Sequence, residues 1–90
     1  DLETIYNLLI QAEQTKVTIV GHTDNTGSDA VNTPLSKNRA QSVADYLIRK
    51  GIPATRVQLV DGKGSSDPIA SNSTNFGRSK NRRVQITLLQ

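Results

Sequence analysis

Apolar residues recur at Leu2, Ile5, Leu9 and Ala12, with Tyr6 and Leu8 beside the stripe, a spacing that predicts an amphipathic helix over residues 2–14. Lys16 to Val20 (KVTIV) is then β-branched and apolar, which predicts a buried strand ended by Gly21. Asp24 to Thr33 is polar and rich in turn formers around Gly27, and reads as a loop. The next stripe, Ala40, Val43, Ala44, Leu47 and Ile48, predicts a second helix. Ser36 stands where its N-cap belongs, Arg49 and Lys50 suit the negative end of its dipole, Gly51 suits the position just past its end, and Pro53 prevents continuation.

Beyond that helix, Arg56 to Val60 (RVQLV) alternates and reads as a second strand. Residues 61–74 hold three Gly or Pro and six Ser, Asn or Thr, and read as a long loop, of a length that is often functional. A short helix is expected over residues 75–81. Arg83 to Leu89 alternates Val84, Ile86 and Leu88 with Gln85, Thr87 and Leu89, which predicts a last strand. The order α-β-α-β-(α)-β favours parallel crossovers with helices packed on one sheet, in a single α/β domain over residues 1–90.

Composition narrows the function classes. Apolar residues are 34% of the chain and the aromatics are Tyr6, Tyr46 and Phe76 alone, which is lean but patterned enough for a small core. Met is absent, so the chain reads as a processed product or an excised domain. Cys is absent too, which excludes disulfides, thiolate metal sites and a Cys nucleophile. No run approaches the roughly 20 apolar residues of a membrane span, so any membrane tether is expected outside these residues. The net charge is +3, and Arg78, Lys80, Arg82 and Arg83 fall close together, either as a solvated surface or as a patch facing nucleic acid or another acidic polymer.

Candidate chemistry centres on two strings, Thr23-Asp24-Asn25-Thr26-Gly27 and Leu35-Ser36-Lys37-Asn38-Arg39-Ala40. Asp24 sits in a Gly-closed turn after an apolar run, and Arg39 follows 15 residues later near a helix start. Facing one pocket, the two would suit a zwitterion carrying both an ammonium and a carboxylate. Other readings stay open: Asp24 as a turn-capping residue, Arg39 as an ordinary helix-surface residue, or the two as a plain salt bridge. His22 and Asp24 point the same way on an extended strand, yet one His without further ligands makes a poor metal site. Asp24, His22 and Ser36 lack the strained turn of a hydrolase nucleophile, and Gly62-Lys63-Gly64 lacks the rest of a phosphate-binding loop.

Through Gly21-His22-Thr23-Asp24, Asn32, Arg39-Ala40 and Asn81-Arg82-Arg83-Val84 the chain also resembles a family, the OmpA-like C-terminal domain shared by OmpA, Pal and MotB proteins. The resemblance rests on Gly21-His22-Thr23-Asp24, Gly27, Asn32, Leu35-Ser36, Arg39-Ala40, Val43, Leu47 and Gly51. It continues through Arg56-Val57, Gly62, Gly64, Pro68, Asn72, Thr74, Gly77-Arg78 and Asn81-Arg82-Arg83-Val84, and so runs from residue 21 to the end. It implies an α/β sandwich with a mixed sheet that binds peptidoglycan without cutting it, needs no cofactor, and tethers an envelope protein to the cell wall in the periplasm. It further implies that Asp24 and Arg39 hold the diaminopimelate residue of the stem peptide, with Asn32, Arg82 and Thr23 at the site. On this expectation Asn32 spans the ammonium and the carboxylate, backbone N–H groups at Asn25–Gly27 add anion contacts, Arg82 faces the ligand and Arg83 points away. Peptidoglycan is then the partner, with no nucleic acid and with a membrane only through a segment outside the chain.

Three departures from the family pattern stand out. The family begins with a strand upstream of its first helix, whereas this sequence starts at the helix; the domain is expected to be partial at its N-terminus, with a sheet edge open to pairing with a second copy. Val31 stands where the family often has a larger apolar or aromatic residue. Thr33-Pro34 before Leu35 is unusual and is expected to stiffen the pocket rim.

Overall fold

The computed structural model describes residues 2–89. Helix α1 (Leu2–Gln11) leads into strand β1 (Lys16–His22) and helix α2 (Asp29–Arg49). A short 3-10 turn (Ala54–Arg56) then precedes strand β2 (Val57–Gly62), helix α3 (Asn75–Asn81) and strand β3 (Arg83–Leu89). The element order is the expected one, and the short α3 and β3 fall where the sequence pattern places them.

The sheet has the order β2-β1-β3. Crossing through α2 makes β2 parallel to β1, as expected of a βαβ unit, while β3 returns antiparallel and makes the sheet mixed. Val17 and Ile19 on β1 face the helices and are fully buried, together with Leu9 of α1, Ala40, Ala44 and Leu47 of α2, and Ile52. Each large member of this cluster contributes about 1.5–3 kcal/mol by leaving water.

Several boundaries differ from the sequence reading. Helix α1 stops at Gln11 rather than residue 14, and Arg56 satisfies carbonyls just past its end, donating from Nη2 to the Ala12 carbonyl at 2.6 Å and from Nε to the Thr15 carbonyl at 2.9 Å. Strand β1 does not end at Gly21: it continues to His22, with Gly21 paired to Gly62 on one side and to Val84 on the other. Strand β2 likewise runs on through Asp61 and Gly62, and Arg56 lies in the turn before it.

The largest correction concerns α2. It starts at Asp29, with Ser28 as the N-cap residue, so residues 29–33 are helix rather than loop and Pro34 lies inside the helix. Ser36 is not an N-cap but a fully buried interior residue. The buried stripe of α2 begins with polar residues, Asn32 and Ser36, before it becomes Ala40, Ala44 and Leu47. An apolar pattern search therefore meets the helix about two turns late. Its other end is as expected: the backbone N–H groups of Lys50 and Gly51 bond back to Tyr46 and Ile48, and Gly51 adopts φ +118°.

Two glycines let α2 lie directly on the strands. A Cβ at Gly21 would stand 1.9 Å from the Ser36 carbonyl oxygen, and one at Gly62 would stand 2.2 Å from the Lys37 backbone nitrogen. Gly51, by contrast, has open space around it and is constrained only by its positive φ. Gly21→Ala should therefore cost of order 3 kcal/mol by forcing backbone apart, and Gly51→Ala only about 1 kcal/mol from strain. Urea unfolding of both variants checks this ranking; equal losses would show that helix and sheet can separate freely at Gly21.

Candidate functional site

Asp24 follows β1 in a tight turn. Its Oδ1 accepts the Thr26 backbone N–H at 2.8 Å, a side-chain-to-backbone closure typical of Asp in turns. Asn32 holds the same turn from α2: its Nδ2 donates to the Asp24 carbonyl at 3.4 Å and to the Thr26 carbonyl at 3.1 Å. Thr23 adds a hydroxyl donation to the Asp24 carbonyl at 2.9 Å, while its N–H bonds to the Gly64 carbonyl. Thr23, Asp24 and Asn32 are all buried. The turn thus holds the carboxylate in one place, and these bonds form as part of folding.

The early start of α2 makes this possible. Asn32 and Ser36 lie one helical turn apart on its sheet-facing stripe. Ser36 Oγ donates to the Thr33 carbonyl at 2.8 Å and accepts the Gly64 N–H at 2.9 Å, which ties the loop after β2 to the helix. Gly64 sits at φ +56°, with Thr33 where a Cβ would point.

The second oxygen of Asp24 meets Arg82, at the junction of α3 and β3, whose Nη1 lies 2.6 Å from Oδ2. The Asp24 side chain is 8% exposed and that of Arg82 is 45% exposed. An ion pair with one half-exposed partner is worth roughly 0–1 kcal/mol net. The Thr26 N–H first, and then Arg82, hold the Asp24 carboxyl below its ordinary pKa against the opposing effect of burial. Beside this pair, Arg39, Arg82, Arg83 and Val84 line an open cleft of about 340 Å³. Arg39 reaches it from α2, is exposed, and forms no ion pair or side-chain hydrogen bond among the described residues.

All five residues singled out in the sequence lie in this one region, but with a division of labour that spacing alone did not give. Asp24 pairs with Arg82 and not with Arg39. Asn32 spends its amide donors on the turn rather than offering them to a ligand, and Thr23 is likewise engaged with backbone. The Thr26 N–H is taken by Asp24 and is not free for an anion. Arg83 directs its guanidinium to the carbonyls of Asn81 and Asp67 and to Gln85 Oε1, although the residue also borders the cleft.

The basic cluster is divided rather than pooled. Arg78 bonds to the Asn72 carbonyl and to Asn75, and the Lys80 ammonium lies 4.8 Å over the Phe76 ring. Asn81, fully buried, was not anticipated as a structural residue. Its Oδ1 accepts the N–H groups of Ile69 and Ala70, and its Nδ2 donates to the Ala70 carbonyl and Asn72 Oδ1. It ties the long loop to α3 and so fixes where Arg82 begins. The signal was present in the loop's length and its many polar residues, but nothing in the sequence says which of them meet.

His22 is 1% exposed, and among the described residues no donor or acceptor meets either ring nitrogen in hydrogen-bonding geometry. Burial chiefly, and then the Arg83 charge, push its pKa below the ordinary value, against Asp67 and the nearby Gln85 amide; Lys63 adds to the downward push. No group of three His, Cys, Asp or Glu able to hold a metal occurs among the described residues.

A sequence profile of the OmpA family matches residues 1–82. The peptidoglycan-binding protein ArfA of Mycobacterium tuberculosis is 48% identical over 87 residues, which are 97% of this chain and 26% of that protein. The outer-membrane lipoprotein YfiB of Pseudomonas aeruginosa is 45% identical over 94% of this chain and 50% of its own. The chain therefore spans about a quarter to a half of the curated relatives it matches. Among solved structures, the C-terminal domain of Helicobacter pylori MotB superposes with a TM-score of 0.88 at 29% identity, over 99% of this chain and 69% of that one.

Acid should weaken the fold in two separate steps. His22 is held neutral in the folded state, so stability is complete above the unfolded His pKa of about 6.5 and falls as the pH drops through that value and the unfolded chain takes up the proton. Asp24 has a lowered folded pKa, so its contribution is present above the ordinary carboxylate pKa and is lost further into acid. Thermal melts of His22→Leu should lose the first step and keep the second. An unchanged decline between pH 7 and pH 5 in that variant would assign the first step to another group.

Proposed function

The chain belongs to the OmpA family, and on that premise we propose that it is a peptidoglycan-binding module that takes the amino-carboxylate end of a diaminopimelate side chain and so tethers an envelope protein to the cell wall. The family is non-catalytic, and the site suits that: its groups bind and orient, and none is arranged as a nucleophile with a base. One observation carries the reading. A buried, ionised Asp24 stands beside a cleft bordered by Arg39 and Arg82, of which only Arg82 has an ionic partner among the described residues.

In this reading the ligand ammonium docks at Asp24, where the carboxylate is already ionised and aligned. The neighbouring carboxylate turns to Arg39, whose planar guanidinium can take both oxygens at once. Asn32 and Thr23 do not touch the ligand; they hold the Asp24 turn against α2 and the Gly64 loop. ArfA is named for peptidoglycan binding and YfiB for the outer membrane; together they support a cell-wall partner and an envelope location for this chain.

Nucleic-acid or acidic-polymer binding is the competing class. It would need a pooled basic surface, whereas Arg78, Lys80, Arg82 and Arg83 are each engaged with different neighbours.

Calorimetric titration with a diaminopimelate-type muropeptide and its lysine-type counterpart tests the proposal. Lysine lacks the second carboxylate and so forgoes the charge-assisted hydrogen bonds to Arg39, a loss of about 2 kcal/mol, so the lysine-type peptide should bind roughly 30-fold more weakly. Asp24→Ala should abolish detectable binding and Arg39→Ala should weaken the diaminopimelate-type peptide more than the lysine-type one, both with retained thermal transitions. Equal affinity of the wild type for the two peptides would sink the diaminopimelate reading.

A further inference from the structure

Without a ligand, the anionic half of the site is already occupied. Asp24 Oδ2 carries Arg82 Nη1 at 2.6 Å, and Oδ1 carries the Thr26 N–H. An incoming ammonium must share Oδ2 with a guanidinium of like charge or displace it. The two partners of the pair differ in their freedom. Asp24 is buried and its turn is pinned by Asn32, Thr23 and its own bond to Thr26. Arg82 is a long side chain, 45% exposed, whose other guanidinium N–H groups have no hydrogen-bond partner among the described residues. Its backbone is secured through its N–H to the Arg78 carbonyl, so the side chain can swing while its origin stays fixed. When the pair opens, Arg82 is the member that moves.

From this geometry, and resting on the amino-carboxylate reading above, we infer that Arg82 is an internal stand-in for the ligand ammonium and sets the selectivity of the site by exchanging partners. A ligand with an ammonium alone displaces Arg82 from Asp24 and returns nothing: one ion pair forms, one is lost, and Arg82 is left beside the unpaired Arg39 in the same cleft. A ligand that carries a carboxylate next to its ammonium gives the displaced guanidinium a new partner. The exchange then ends with one more ion pair than it began. Arg82 thereby rejects simple amines and lysine-type ends, a task distinct from the direct grip of Arg39. The proton inventory does not change, since Asp24 is ionised before and after and both arginines stay charged.

The test is the ratio of affinities for diaminopimelate-type and lysine-type muropeptides in wild type, Arg82→Gln and Arg82→Lys. With the competing charge gone, Arg82→Gln should bind the lysine-type peptide about 2- to 5-fold more tightly than wild type, the worth of a half-exposed ion pair. It should also bind the diaminopimelate-type peptide more weakly, so that the ratio falls by about tenfold. Arg82→Lys keeps a competing cation and should show no gain for the lysine-type peptide. A ratio in Arg82→Gln within twofold of wild type would overturn the exchange while leaving the role of Arg39 intact. A wild-type ratio near one would overturn the diaminopimelate reading itself, and the exchange with it. Nitrogen-15 NMR of the Arg82 guanidinium in the wild-type chain gives a second readout that needs no variant to fold. Its side-chain N–H signals should exchange rapidly with water once the lysine-type peptide is bound and stay protected with the diaminopimelate type; signals unmoved by either peptide would show that Arg82 never leaves Asp24.

Discussion

Helix α2 touches β1 and β2 backbone to backbone at Gly21 and Gly62, and the rest of the structure depends on that contact. With no side chain between them, the helix comes close enough for Ser36 to bond to the loop after β2 and for Asn32 to bond to the turn after β1. Any larger residue at either glycine would lift the helix from the sheet at its site end. The small Ala40 and Ala44 continue the close approach toward Leu47 and the apolar core. Core and site are therefore two ends of one helix–sheet interface, dry and apolar at one end and hydrogen-bonded at the other.

This arrangement explains why a site with ionic groups is compatible with a small domain. Buried polar groups are tolerated when each finds a partner. Asn32, Ser36, Asn81 and Thr23 all do so, mostly with backbone, and each bond also fixes a loop that frames the cleft. Among the described residues, His22 is an exception, sealed with both ring nitrogens unmatched, and Arg83 Nε is another. His22 makes the region beside the cleft sensitive to acid, because protonation adds a charge where burial and Arg83 both oppose it.

The cations divide by mobility. Arg56 closes the end of α1, and Arg83 is spread over carbonyls and Gln85; these two are structural. Arg39 has no hydrogen-bonded partner among the described residues, and Arg82 has one, Asp24, and is half exposed. A fixed buried carboxylate with two adjustable guanidinium groups nearby is pre-organised at the anionic end and adaptable at the cationic end. That suits a ligand whose ammonium position is set by the carboxylate and whose own carboxylate follows from it.

The sequence by itself determined the element order, the end of α2 just before Gly51 and that of α3 at Asn81, and the course of β3. These depend on local period, turn chemistry and motif spacing, which are written along the chain. It misplaced the start of α2, because the buried face there is Asn32 and Ser36 rather than apolar. It also read Gly21 as a strand end, when the glycine serves a close approach from above. Only the tertiary structure decided that Asp24 pairs with Arg82, 58 positions away, and not with Arg39. The same holds for Asn32, which serves the turn, and for Asn81, which anchors the long loop. The physical reason is common to all three: hydrogen-bonding side chains take whichever partners folding brings within about 3 Å, and a polar residue type carries no mark of which partner that will be.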